Sequence, residues 1–197
     1  MTAPFKLGLT GSIGMGKSTT AAMFVAEGIP VWDADDAVHR LYAEGGAAVA
    51  PIADLCPMSF VGGAIDRTAL KDWIARDPTA LTRLEAVVHP LVSAARDDFI
   101  GQTASDIAVF DIPLLFEKGT EAGMDATLLV TAPPDLQRAR VLSRPGMTEA
   151  QFRLILSRQM PDAEKRARAT HIVETLDVAS VRAYVRALLD HIRSRNA

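Results

Sequence analysis

The chain has 197 residues, 49% of them hydrophobic, which is enough apolar material for the core of one domain with insertions. A net charge of −3 provides no basic field, so no nucleic-acid partner is expected. The single cysteine, Cys56, excludes an intrachain disulfide and reads as a small buried apolar side chain in a reducing compartment.

No apolar run is long enough to span a bilayer, and the first one starts so close to Met1 that a removable leader is not expected. A cytoplasmic chain without a membrane partner follows as the expectation. That first run, Lys6–Thr10, has the apolar character of a parallel strand. It leads into Gly11-Ser12-Ile13-Gly14-Met15-Gly16-Lys17-Ser18, the pattern G-x-x-x-x-G-K-S. A triphosphate is densely anionic, and successive backbone N–H groups at a helix N-terminus can meet it where no side chains intervene. Glycine at 11, 14 and 16 clears that path. Lys17 supplies a compact cation for the β- and γ-phosphates, the Ser18 hydroxyl a place in a Mg²⁺ shell, and Thr19 a further donor. Residues 21–25 suit a helix, and Gly28 is placed to end it.

A second strand is predicted at Ile29–Trp32, followed at once by Asp33-Ala34-Asp35-Asp36. Acids at the carboxyl end of a strand stand where open α/β sheets bind ligands. Asp33, the first of them, is favoured as a base that accepts a hydroxyl proton, while Asp35 or Asp36 is expected to cap the next helix. Roughly seventy mostly helical residues follow, about twice what a crossover needs, so an insertion is predicted. Within it Asp77-Pro78 should open a long helix running towards Gly101. Leu81, Leu84, Val87, Val88, Leu91 and Val92 form its packing face, with a bend at His89-Pro90.

The third strand, Ile107–Asp111, ends on an acid placed to help hold Mg²⁺. The apolar stretch Ile112-Pro113-Leu114-Leu115-Phe116-Glu117 after it either caps the core or buries part of a substrate. Ala126–Thr131 reads as the fourth strand and His171–Val173 as the fifth. Between them Pro133-Pro134-Asp135 starts a helix, Arg144-Pro145-Gly146 breaks it, and Thr148-Glu149-Ala150-Gln151 restarts it with a capping box. Arg138, Arg140, Arg144, Arg153 and Arg158 in this region suit either a flap closing over phosphates or a solvated basic face. Arg140 and Arg144 share one face nearest the break.

These residues together resemble the dephospho-coenzyme A kinase family. The resemblance rests on Gly8–Thr19, Asp33-Ala34-Asp35, Ile65-Asp66-Arg67 with Leu70, Leu84-Glu85 leading to His89-Pro90, Asp111–Glu117, and Gln137 with Arg140 and Arg144. It covers nearly the whole chain in order. It implies a three-layer α/β P-loop kinase fold with a five-stranded parallel sheet, as one domain. The core would take about residues 1–35, 102–137 and 166–197, a helical acceptor-binding insertion about 36–101, and a helical lid about 138–165.

The implied reaction passes the γ-phosphoryl group of ATP, with Mg²⁺, to the ribose 3′-hydroxyl of dephospho-CoA. Lys17, Asp33 and Arg140 would be catalytic, and Arg144 would join the loop in holding ATP. Asp33, Asp35, Arg67, His89, Pro113, Leu114 and Leu115 would bind the acceptor, and Ser18 and Asp111 the metal. One departure stands out: Ala169-Thr170 and Thr175 replace the family's Ala-Asp and later Asn beside the adenine. Another small-molecule kinase would share the loop and lid. A GTP-dependent switch would need an Asn-Lys-x-Asp reader, which the chain lacks; Asp98-Phe99-Ile100-Gly101 spells D-x-x-G inside a predicted helix. Oligomeric state stays open.

Overall fold

A computed structural model describes residues 3–196. In chain order its elements are β1 (Phe5–Thr10), α1 (Lys17–Ala26), β2 (Val31–Asp33), α2 (Ala34–Tyr42), α3 (Val49–Leu55), β3 (Phe60–Val61), β4 (Ala64–Ile65), α4 (Arg67–Arg76), α5 (Ala80–Gln102), β5 (Ile107–Asp111), β6 (Ala126–Thr131), α6 (Pro134–Leu142), α7 (Glu149–Leu156), α8 (Asp162–Arg168), β7 (His171–Glu174) and α9 (Val178–Asn196). The chain divides into two compact units, one running up to Trp32 and again from Thr103, the other Asp33–Gln102.

The first unit is built on a parallel sheet of five strands in the order β2-β5-β1-β6-β7. β1 lies centrally, with Leu7 opposite both Val109 and Ala126. Every residue of β5 and β6 is buried, as apolar strands covered on both faces require. Leu7, Leu9, Ile107, Val109, Leu128 and Val130 make one core with Met23 and Phe24 of α1 and Val181, Val185 and Leu189 of α9. This packing sets β1 and α1 rigidly on either side of the glycine-rich loop.

The second strand starts at Val31, two residues later than expected, and ends on Asp33. Pro30 uses its carbonyl to accept from Val109 N–H at 3.0 Å, so the chain joins the sheet there without extending the regular strand.

The second unit has its own core of Tyr42, Val49, Ile52, Cys56, Ile65, Leu70, Leu84 and Val88. Cys56 is a buried free thiol. β3 and β4, which sequence periodicity does not reveal, pair antiparallel around Gly62 and Gly63. Both glycines have positive φ, 57° and 85°, the combination a tight two-residue hairpin demands. The long helix begins at Ala80 rather than at Pro78, because the Asp77 carboxylate accepts from Thr79 N–H and Oγ1, both at 2.8 Å, in a local turn. It continues through Pro90 to Gln102. One lost hydrogen bond is outweighed by Leu84, Val88 and Leu91 packing on either side of the proline. Asp98-Phe99-Ile100-Gly101 lies within this helix. Among the described residues no helix is long and apolar enough to cross a membrane.

Candidate active site

The phosphate loop connects β1 to α1, and its glycines are there for space. A Cβ on Gly11 would come within 2.8 Å of the Val130 carbonyl, and one on Gly14 within 3.0 Å of the Gln137 carbonyl. Gly14 and Gly16 also have positive φ, 77° and 90°, a region that side chains disfavour. Gly16 is the N-cap of α1 and offers no side chain to it, so the first-turn N–H groups remain directed at the loop. Ser18 and Thr19 are exposed on that turn. Gly11→Ala should destabilise the fold by about 1–3 kcal/mol through overpacking, read as a lower Tm in thermal melting.

Lys17 crosses the mouth of the loop to meet the Asp111 carboxylate at the end of β5. Asp111 is only 2% exposed. The buried carboxylate holds the lysine head, and Ser18, next in sequence, and Asp111 supply a hydroxyl and a carboxylate. Both are hard oxygen donors of the kind Mg²⁺ takes alongside phosphate oxygens and water.

Three residues lock the loop from outside, and sequence reading does not single out their contacts. Gln137 Nε2 donates to the Ile13 carbonyl at 2.8 Å, while Gln159 Oε1 accepts from Ile13 N–H at 3.1 Å. Thr175 Oγ1 donates to the Met15 carbonyl at 2.8 Å, and Thr175 N–H bonds the Thr131 carbonyl, also at 2.8 Å. The departure at position 175 therefore has a structural use: a short buried hydroxyl welds the loop to β6. The same threonine holds Arg140, whose guanidinium donates to its Oγ1 at 2.8 Å and its carbonyl at 2.5 Å. Arg140 and Arg144 then line a cavity of about 260 Å³ with Gly14, Gly16, Thr19 and Asp177.

The remaining arginines of the region divide differently. Arg138 binds Glu149 at 2.7 Å, joining α6 to α7 across the Arg144-Pro145-Gly146 break, and Arg153 binds the same carboxylate at 3.1 Å from within α7. Their pull, Arg138's foremost, holds the Glu149 carboxyl below its usual range. These two are braces. The capping box at Thr148 and Gln151 forms as the sequence predicts.

In the segment after β5, Thr10 Oγ1 donates to the Pro113 carbonyl at 3.2 Å. Leu115 and Phe116 are buried in the core; Leu115 belongs with the packing reading rather than with a substrate surface. Leu114 is 36% exposed and Pro113 partly so, so both are within reach of a ligand.

The other predicted site residues belong to the second unit. Asp33, not Asp35 or Asp36, caps α2: its Oδ1 accepts from Asp36 N–H at 2.9 Å. The reason is that β2 runs into the helix without a linker, leaving the last strand residue at the cap position. Asp35 is exposed on the first turn and Asp36 pairs with Arg40. Arg67 lies over the Tyr42 ring at 5.7 Å, and the exposed His89 is 4.0 Å from Glu85.

A family model described as dephospho-CoA kinase matches residues 5–178. The chain is 71% identical over 190 residues to a dephospho-CoA kinase of Cereibacter sphaeroides, covering 96% of each. A crystal structure from Thermus thermophilus superposes with a TM-score of 0.85 at 36% identity, over 96% of this chain and 98% of that one. A dephospho-CoA kinase from Campylobacter jejuni gives 0.71 at 22% identity over 98% of both chains, a likeness of fold.

Proposed function

We propose how this chain, which belongs to the dephospho-coenzyme A kinase family, divides its reaction among its residues. It is an ATP-dependent kinase that phosphorylates dephospho-CoA on the ribose 3′-hydroxyl, giving coenzyme A and ADP in the last step of coenzyme A synthesis. The observation that carries the assignment of roles is the Lys17–Asp111 pair at the mouth of the glycine loop.

In phosphoryl transfer the charge is spread over the equatorial oxygens of a loose transition state, so the protein positions and stabilises more than it reacts. The N–H groups of residues 11–19 cradle the phosphates, and Lys17 follows the transferring group. Ser18 and Asp111 would hold Mg²⁺, which when bound would neutralise charge on the phosphates. Arg140, aimed by Thr175, and Arg144 bind the nucleotide phosphates from the opposite wall.

Asp33 accepts the proton of the acceptor hydroxyl through the oxygen that does not cap α2. Asp35, Arg67 and His89 of the second unit, with Pro113 and Leu114, receive the acceptor. Residues 138–165 act as the lid that keeps water from the phosphoryl group. The enzyme works in the cytoplasm in this reading.

Arg140→Lys keeps the charge but loses the fork that meets Thr175 at two points, so kcat/KM is expected to fall at least about tenfold. Steady-state kinetics with ATP varied measure it, and an unchanged value contradicts the role. The acceptor is tested by offering dephospho-CoA beside a panel of nucleosides, nucleotides and sugars. Turnover is expected with dephospho-CoA; turnover of the panel alone would refute the assignment.

A further inference from the structure

The segment after β5 is tied at its near end to β1, where Thr10 Oγ1 donates to the Pro113 carbonyl at 3.2 Å, and at its far end to a later stretch of chain. Ile112 N–H donates to the Leu9 carbonyl at 3.0 Å, but the far end depends on residues 159–168. Met160 N–H donates to Glu117 Oε1 at 2.8 Å, and Arg168 Nη1 to the Phe116 carbonyl at 3.3 Å. Below them Lys165, on α8 and 0% exposed, brings its Nζ to 2.9 Å from Glu117 Oε1. Gln159, at the start of the same stretch, is the residue bonded to Ile13 N–H of the phosphate loop. One short piece of chain thus grips the nucleotide loop at one end and the Pro113–Glu117 segment at the other.

An ion pair taken out of water is a poor way to gain stability, because desolvation offsets most of the attraction. Here the offset is incomplete as well: among the described residues Glu117 Oε2 is buried without a hydrogen-bond partner, and Lys165 Nζ meets Oε1 as an ion pair without the geometry of a hydrogen bond. Two apolar side chains of like volume would join α8 to this segment at less cost. What they would lack is direction. The Met160 N–H orients the carboxylate through a hydrogen bond and the ammonium holds it by charge, and the backbone of residues 113–117 is held with it. Burial works against the charged carboxyl, yet Lys165 and the Met160 N–H bring it below the usual range, so Glu117 is a carboxylate at neutral pH.

We infer that Lys165 and Glu117 are positioning residues, which hold the Pro113–Leu114 wall in register with the phosphate loop so that acceptor and nucleotide meet correctly. The inference rests on the reading that this wall borders the acceptor.

The test is the full-length K165M/E117M double variant, which removes both charges and leaves neither alone in the interior. Its KM for dephospho-CoA is expected to rise at least about tenfold, as small misplacements at a reacting centre do, while its KM for ATP stays within about twofold because ATP binding is not what was removed. Amide exchange at Lys118, Gly119 and Thr120, which donate to the Leu114, Phe116 and Leu115 carbonyls at 3.1, 3.3 and 3.0 Å, is expected to quicken about tenfold. A double variant with the parent's acceptor KM overturns the inference, whatever the exchange shows, since the pair then only packs. If the parent enzyme itself ignores dephospho-CoA, it is the proposed function that fails. The exchange comparison needs no substrate and then decides: unchanged rates overturn the tie. Should the double variant not fold, Lys165→Arg takes its place, keeping the charge on a differently shaped head, with the same split in KM expected.

Discussion

Replacing Lys17 by alanine is expected to lower kcat by about 10²–10³-fold, the usual cost of deleting one group aimed at charge that develops in a transition state. The size of the effect comes from the setting. Lys17 is half-buried and held by Asp111, itself 2% exposed, so its ammonium is already oriented and little reorganisation accompanies the reaction. Removing it also takes away the cation that Asp111 faces, and a buried carboxylate without its cation destabilises the fold. Rates should therefore be compared at a temperature where melting shows both proteins folded. Lys17→Arg is a useful companion: it keeps the charge on a broader head that the narrow loop does not fit, and it should recover stability better than rate. Near-normal turnover in Lys17→Ala would remove the residue from the chemistry.

Asp33→Asn carries the second large effect. Asparagine is as good an N-cap as aspartate, and its side-chain carbonyl can still accept from Asp36 N–H, the bond that starts α2 at 2.9 Å. It cannot accept the acceptor's proton. The expected result is a fall in kcat of about 10²–10⁴-fold, with ATP affinity and Tm close to the parent's. Asp33→Ala should add a loss of about 1 kcal/mol of stability through the missing cap. If Asp33→Asn instead abolished ATP binding at unchanged Tm, the carboxylate would belong to the metal site and not to the acceptor.

The parts of this molecule that could be read from the sequence are those governed by local geometry. Gly11, Gly14 and Gly16 are legible because no other residue permits the close approaches to Val130 and Gln137 or the positive φ angles of the last two. β5 and β6 have the bounds their largely apolar runs foretell, since a strand buried on both faces reads as a near-continuous hydrophobic stretch. Thr148 with Gln151 is likewise a signal spanning one helical turn.

What escaped depends on partners distant in sequence. Thr175 looks like a departure from a family pattern, and only the fold shows its hydroxyl between Met15 and Arg140. Lys165 sits among the charged residues of α8, Asp162, Glu164, Arg166 and Arg168, and nothing in that string distinguishes the one that is buried against Glu117. Asp33 stands out in the sequence for its place at a strand end, but the immediate start of α2 gives it a capping duty that one missing linker residue decides. The hairpin at Gly62-Gly63 did leave a signal, two adjacent glycines, though flanking strands of two residues each are too short to show a period.

The most direct measurement is incubation of the purified enzyme with ATP, Mg²⁺ and dephospho-CoA, with the products followed by ³¹P NMR. The account predicts equal amounts of ADP and of coenzyme A carrying its new phosphate on the ribose 3′-oxygen. ATP left intact beside unchanged dephospho-CoA, or a phosphate placed elsewhere on the acceptor, would contradict it.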